Sequence, residues 1–194
     1  MRRLLVATTN RGKQDEFRRL LAQLPALVVT PVEVGVDLEV PEPYPTYAEN
    51  AAAKAVAYAA ASGLLTLADD SGIELEALDW GPGVRSARWG GQDKAASVID
   101  ALQGRTDRRA RMVCALAIGL PGDPPTVEIF TGTVDGTVTK EPRGSGGFGY
   151  DPIFLLAEGM TAAELPAEEK DRRSHRGRAV EAASPRLSEL LAVS

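Results

Sequence analysis

The chain opens on an apolar run, Leu4-Leu5-Val6-Ala7, too short and too early for a long helix, which predicts a buried strand. Phe17, Leu20, Leu21 and Leu24 then recur at i, i+3, i+4 and i+7, one apolar helical face with Pro25 as its stop. Ala26 to Thr30 predicts a second strand, and Pro41, Pro43 and Pro45 punctuate the loop behind it. Thr46-Tyr47-Ala48-Glu49 has the form of a capping box, Thr46 as N-cap and Glu49 reaching back to it. The alanine-rich run to Ser62 favours helix, and Gly63 suits its C′ position.

Leu64 to Ala68 predicts a further strand, ending in Asp69-Asp70-Ser71-Gly72, and Ile73 to Leu78 continues as another. A loop lies between Gly81-Pro82-Gly83 and Gly90-Gly91, and Lys94 to Leu102 reads as helix. Arg111 to Leu120 and Thr126 to Thr139 predict two antiparallel strands joined by the turn Pro121-Gly122-Asp123-Pro124-Pro125. Gly144 to Gly149 is a flexible loop before a short strand at Ile153 to Leu155, and helical patterns close the chain from about Pro166. Neither an internal repeat nor a dividing linker interrupts the pattern. The expectation is a mixed α/β fold, one domain over 1–194.

Composition narrows the function. Of 194 residues 44% are hydrophobic and 25% charged, ordinary globular values, and 22 basic against 27 acidic residues give a net charge of −5. That mildly acidic balance argues against a general nucleic-acid binder. The apolar start is too short for a signal segment, and no uncharged stretch approaches the ~18 residues of a membrane span, so a cytoplasmic protein without a membrane partner is expected. One cysteine, Cys114, excludes an intrachain disulfide and a thiolate zinc cluster. One histidine, His175, excludes metal sites needing two. A hard-metal site built from carboxylates stays open.

Five segments could carry chemistry. Thr8-Thr9-Asn10-Arg11-Gly12-Lys13 joins a buried strand to a helix N-terminus, a place that favours anions, although an ordinary turn with a solvated lysine has the same pattern. A Walker A loop would need Gly at Ala7 and Ser or Thr at Gln14, so that motif is excluded. Asp69-Asp70-Ser71-Gly72 ends a strand, where open α/β sheets place their sites; adjacent carboxylates repel unless a cation such as Mg²⁺ sits beside them. The same four residues are also turn formers. Asn50 and Lys54, four apart, share one helical face, with Glu42 in the loop just before.

Gly144 to Asp151 allows close backbone approach, and Phe148 and Tyr150 offer faces for a base in a chain only 5% aromatic. The alternative is a glycine-rich hairpin whose aromatics are core. Lys170 and Ser174-His175-Arg176-Gly177-Arg178 gather donors suited to carbonyls or phosphates, with Ser174 a candidate helix cap. A solvated basic face is the bland equivalent. Cys114 sits in an apolar run and reads as a core thiol.

Together these segments resemble the inosine triphosphate pyrophosphatase family, the XTP/dITP diphosphatases. The resemblance runs through Ala7 to Lys13, Tyr47-Ala48-Glu49-Asn50-Ala51 with Lys54, Ala68 to Gly72, Pro82 to Trp89, Gly146 to Pro152, Ala163-Glu164-Leu165, Glu169-Lys170 and Ser174 to Gly177. Each is weak alone; their order and spacing are specific. The resemblance implies hydrolysis of ITP, dITP and XTP to the monophosphate and pyrophosphate, with Mg²⁺, by a homodimer. It also implies an elongated mixed β-sheet flanked by helices, two lobes around a central nucleotide cleft.

By similarity, Thr8, Thr9, Asn10, Arg11, Gly12 and Lys13 hold phosphates, assisted by Lys54 and Ser71. Glu42 and Asp70 correspond to metal-contacting acids, and Asp70 to the proton acceptor. Phe148, Gly149, Tyr150, Asp151, Lys170, His175 and Arg176 map onto nucleotide-binding positions. Two departures stand out. The loop that usually carries paired acids and a glycine reads Val40-Pro41-Glu42-Pro43-Tyr44-Pro45, and Arg85 stands where an aromatic is frequent.

Donors opposite a 6-keto purine accept ITP and XTP and clash with the 6-amino group of adenine. Guanine shares the 6-keto group, and no motif here marks its rejection. Competing expectations are a pyrophosphatase for pyrimidine or otherwise modified nucleotides and a catalytically silent nucleotide-binding regulator. An RNA-binding module is disfavoured by the acidic balance and the lack of an aromatic stripe.

Overall fold

In the computed structural model, which describes residues 1–192, the chain forms seven strands and five α-helices. Val193 and Ser194, the last two positions of the expected 1–194 unit, lie outside the described residues. In chain order these are β1 (Arg2–Val6), α1 (Arg11–Leu20), β2 (Ala26–Val29), α2 (Tyr47–Ser62), β3 (Leu65–Leu75), β4 (Gly81–Pro82), α3 (Lys94–Ala101), β5 (Arg109–Leu120), β6 (Thr126–Val138), β7 (Phe154–Leu155), α4 (Ala167–Arg173) and α5 (His175–Ala192). The strands make one mixed sheet in the order β2-β1-β3-β5-β6-β7, with β4 on the free edge of β3. β1 is parallel to β2 and β3, and the remaining pairs are antiparallel. The expected α/β class holds. No helix among the described residues is long and apolar enough to cross a membrane.

Period-two burial explains how the sheet is covered. Leu4, Val6, Leu67, Cys114 and Leu116 face α1 and α5, packing on Phe17, Leu21, Val180 and Leu187. Leu5, Ala7, Ala68, Ala115 and Ala117 face the other way, onto Ala51, Ala55 and Tyr58 of α2. Small residues on both surfaces let α2 lie close to the sheet; Gly119 has no room for a Cβ against the Ala55 carbonyl. A third cluster joins Ile73, Leu75 and Met112 to Val98 of α3, to Leu102 just past its end, and to Tyr150 and Phe154. Cys114 is fully buried, as expected.

Three local expectations need correction. Asp69-Asp70-Ser71-Gly72 is not a turn: β3 runs without a break from Leu65 to Leu75, and residues 66–75 pair with β5 from Gly119 to Ala110. Tertiary pairing has overridden the turn propensity of Asp, Ser and Gly. α1 ends at Leu20, five residues before the stop expected at Pro25, with Leu21 as its cap, so Leu24 lies beyond the helix. Thr46 does cap α2, accepting from Glu49 N–H at 3.2 Å, but the Glu49 carboxylate accepts from the Thr46 hydroxyl rather than closing the box on its backbone.

Candidate active site

β3 lacks a neighbour over part of one edge. β1 pairs it only at Leu65, Thr66 and Leu67, and β4 only at Glu74 and Leu75. The chain leaves β1 at Ala7, whose N–H donates to Leu67 O, and turns into α1. Within the uncovered edge, residues 68–73, Asp70, Ser71 and Gly72 form the floor of a cleft of about 870 Å³. One wall is the β1–α1 turn, another the start of α2 with the Glu42 loop, a third the segment from Ser86 to Lys94, and the last the Phe148–Asp151 turn with α4 and α5.

The β1–α1 turn is shaped by its own polar groups. Asn10 Oδ1 accepts from Lys13 N–H at 3.1 Å as N-cap, and Gln14 Nε2 donates to Thr8 O at 2.8 Å. Thr8, Thr9, Asn10 and Lys13 border the cleft. Arg11 is exposed on the first turn of α1, and neither it nor Gly12 is among the bordering residues. Gly12 acts sterically: a Cβ there would stand 2.6 Å from the Phe148 ring, so its absence lets that ring lie against α1.

Because side chains alternate along a strand, the adjacent acids of β3 diverge. Asp69 and Ser71 face α1 and α5; Asp70 faces α2. Asp69 Oδ2 meets Lys13 Nζ at 2.9 Å, Arg176 Nη2 at 3.0 Å and the Ser71 hydroxyl at 3.1 Å. Burial alone would raise its pKa, but Lys13, Arg176 and Lys54 outweigh that and hold it well below the carboxylate range.

Asp70 has the opposite environment. Burial, then the charge of Glu42, push its pKa up to about 6 against the Asn50 hydrogen bond and the charges of Lys54 and Lys13. Its Oδ2 accepts from Asn50 Nδ2 at 3.0 Å and its Oδ1 from the Ser71 N–H at 2.9 Å. Glu42 pairs with Lys54 and lies 3.7 Å from Arg88, while Lys54 Nζ also donates to Asp69 O at 3.0 Å. Lys54 is thus fixed at the uncovered strand edge, between the two acids sequence reasoning gave to a metal.

The fourth wall is ionic and mostly interior. Lys170 lies 2.6 Å from Glu16 and 2.8 Å from Asp151, and Arg176 pairs with Glu16 as well as Asp69. Glu16 is 1% exposed and Arg176 2%. The Arg176 guanidinium therefore spends donors on Glu16, Asp69 and Ser71 Oγ. Asp151 also accepts from Phe148 N–H at 2.8 Å, closing the turn that carries Gly147 at φ +69° and Gly149 at φ +63°. Tyr150 is core rather than a stacking face: it is buried, and its hydroxyl donates to Ser86 O at 2.9 Å. Phe148 is half-buried, with the Lys170 ammonium 5.0 Å from its centroid. Ser174 caps α5, accepting from Gly177 N–H at 2.9 Å, so His175 and Arg176 fall in the first turn as expected. Burial, then the Arg176 charge, lower the pKa of His175 to about 3, leaving a neutral imidazole.

The matching family model is that of the Ham1 family, aligned over residues 4–186. The chain belongs to the Ham1 family. It is 46% identical to a dITP/XTP pyrophosphatase of Nitrosomonas europaea, over 97% of this chain and 96% of that relative. A HAM1 protein from Coxiella burnetii superposes with a TM-score of 0.85 at 38% identity, covering 97% of this chain and 100% of that one. A nucleoside-triphosphatase, or dITP/XTP pyrophosphatase, from Mycobacterium abscessus superposes with a TM-score of 0.71 at 39% identity, covering 94% and 99%. The expected family membership is therefore established.

Sequence reasoning passed over two parts of the cleft. Glu16 was readable: with Lys13, Phe17 and Leu20 it lies on one helical stripe, so an acid stood on the buried face of α1. Ser86 lay within the Pro82–Trp89 stretch of the resemblance but carried no role there, and Lys94 carried no such signal, since only the Ser86 carbonyl, shared with Tyr150, brings that helix end to the cleft.

Proposed function

We propose that this Ham1-family chain hydrolyses non-canonical purine nucleoside triphosphates, dITP, XTP and ITP, to the nucleoside monophosphate and pyrophosphate, with Mg²⁺ as cofactor. The observation that carries the reading is Asp70, an acid with its pKa raised to about 6, between the Glu42 carboxylate and the ammonium groups of Lys54 and Lys13. The names of the similar proteins supply the substrate class.

The donor set fits a hard cation. Glu42 and Asp70 are two oxygen donors whose mutual repulsion a divalent ion relieves, and no group of three or more His, Cys, Asp or Glu among the described residues forms a closed cage. An ion that completes its shell with water and substrate phosphates is the kind such a pair suits. When bound, Mg²⁺ supplies neutralising charge to the pyrophosphate leaving group.

The chain's own residues do the rest. Thr8, Thr9, Asn10 and Lys13 receive phosphate oxygens, with Arg11 adding positive charge outside the cleft and Gly12 admitting the Phe148 ring. Lys54 and Ser71 flank the reacting phosphate. Water attacks the α-phosphorus, the bond to the bridging α–β oxygen breaks, and Asp70 accepts the water's proton. Asn50 and the Ser71 N–H fix that carboxylate. Phe148 and Gly149 offer a surface to the base while Tyr150 and Asp151 hold the turn. Lys170 and neutral His175 supply donors for a 6-keto group, and Arg176 fixes Glu16 and Asp69 beneath them. Two copies acting as a homodimer in the cytoplasm complete the reading.

The test is pyrophosphate release, with and without Mg²⁺, from ITP, dITP, XTP, GTP, ATP and CTP. Mg²⁺-dependent release from the first three, with little from the others, is expected. Release chiefly from CTP would move the substrate class, and release from none would leave a binding protein.

A further inference from the structure

We infer that Lys94 is a third phosphate-binding cation of the cleft, contacting the polyphosphate chain from the wall formed by Ser86 to Lys94; this rests on the nucleotide reading above. Five cations border the cleft, and four have carboxylate partners within the protein: Lys13 with Asp69, Lys54 with Glu42, Lys170 with Glu16 and Asp151, and Arg176 with Glu16 and Asp69. Lys94 has none among the described residues. Its ammonium donates instead to two backbone carbonyls, Ser86 O at 2.9 Å and Ala87 O at 2.5 Å.

Those acceptors are rigid. Ser86 is 2% exposed, its hydroxyl bridges Ile73 N–H and Gly83 O, and its carbonyl also accepts from Tyr150. An ammonium has three donors, and two carbonyls leave one for a ligand. The Asp93 carboxylate next to it is engaged as the cap of α3, accepting from Ala96 N–H at 2.9 Å. Burial lowers the pKa of Lys94, with no opposing charge to restore it. A half-buried, pre-oriented charge without a counterion is the arrangement that gains most from an anionic ligand.

The probe is inorganic pyrophosphate, titrated calorimetrically in Mg²⁺ buffer against the whole protein, the Lys94→Gln variant and the Lys94→Arg variant. Gln keeps amide N–H groups for the Ser86 carbonyl and removes the charge together with the third donor. The expected result is about tenfold weaker pyrophosphate binding in Lys94→Gln, a shallower salt dependence of its affinity, and recovery in Lys94→Arg. Equal affinity in Lys94→Gln and the parent overturns the assignment, as does a parent that binds no pyrophosphate. A loss with an unchanged salt slope also overturns it, leaving Lys94 a prop for residues 86–87. Because binding is read without turnover, a parent that binds pyrophosphate but cleaves no dITP or XTP sinks the proposed activity and not this subsite.

Discussion

Asp69 and Asp70 are neighbours in sequence, yet their carboxylates leave opposite faces of β3: Asp69 is joined to Lys13 at 2.9 Å, Asp70 to Asn50 at 3.0 Å. The strand turns two identical side chains into different chemical objects. Asp69 stays ionised inside a cationic nest, where it fixes Lys13, Ser71 and Arg176. Asp70 is buried and feels the charge of Glu42, and its pKa is raised to about 6.

Asp70 should therefore carry activity at a cost in stability. The unfolded carboxylate ionises above about pH 4, whereas the folded one ionises only near pH 6. Its destabilising contribution is absent below pH 4, grows between the two pKa values and is complete above the higher one. Asp70→Asn should abolish pyrophosphate release and stabilise the metal-free fold at pH 8 by on the order of 1–3 kcal/mol. Urea unfolding at pH 3.5 and pH 8 checks the sign, since the gain should vanish at the lower pH. Near-normal turnover by the variant would remove Asp70 from the mechanism.

Arg176 carries a different expectation. Its guanidinium lies between Glu16 and Asp69 at 2% exposure. Truncation removes the main counterion of buried Glu16 and the second counterion of buried Asp69, which keeps Lys13, so Arg176→Ala should lose roughly 3–5 kcal/mol of stability. Asp69, with its depressed pKa, contributes stability above the unfolded value near 4 that is lost as acid protonates it. Denaturant midpoints should fall sharply for the variant at neutral pH. A variant as stable as the parent, with only base preference altered, would return Arg176 to a role in base contact.

Much of this arrangement was legible in the order of the residues, for reasons that differ by element. The strands β1, β5 and β6 and the helices α2 and α3 announce themselves through periodicity and caps, because local and tertiary preferences agree there. Asn10, Thr46 and Ser174 each accept a backbone N–H at a helix start. The middle of β3 was hidden: Asp69-Asp70-Ser71-Gly72 favours a turn, and only the ladder with β5 makes it strand. The uncovered edge that makes the cleft depends on where β1 and β4 stop pairing, which no local pattern encodes. Tyr150 was misleading because an aromatic beside glycines looks the same whether it stacks on a ligand or packs on Val98 and Leu102.

Gly12 tests the contact between α1 and the Phe148 turn. Alanine is a better helix former by about 1 kcal/mol, but its methyl group would sit 2.6 Å from the Phe148 ring. Gly12→Ala should keep stability within about 1 kcal/mol of the parent while raising KM for ITP about tenfold, by displacing the ring. Thermal unfolding and steady-state kinetics read the two effects separately. An unchanged KM would show that Phe148 takes no part in holding the base.

His175 offers the most direct measurement, since it is the only histidine in the chain. Its pKa is lowered to about 3, first by burial and then by the Arg176 charge. An imidazole held neutral keeps one N–H to donate and one nitrogen to accept across the physiological range. Followed by proton NMR, its single ring Cε1–H resonance should not move between pH 5 and 8. A resonance that stays fixed excludes His175 as the source of any pH dependence of kcat/KM in that range. A titration centred near 6.5 would instead mean that the ring is hydrated, and base selection through a fixed neutral donor would fail with it.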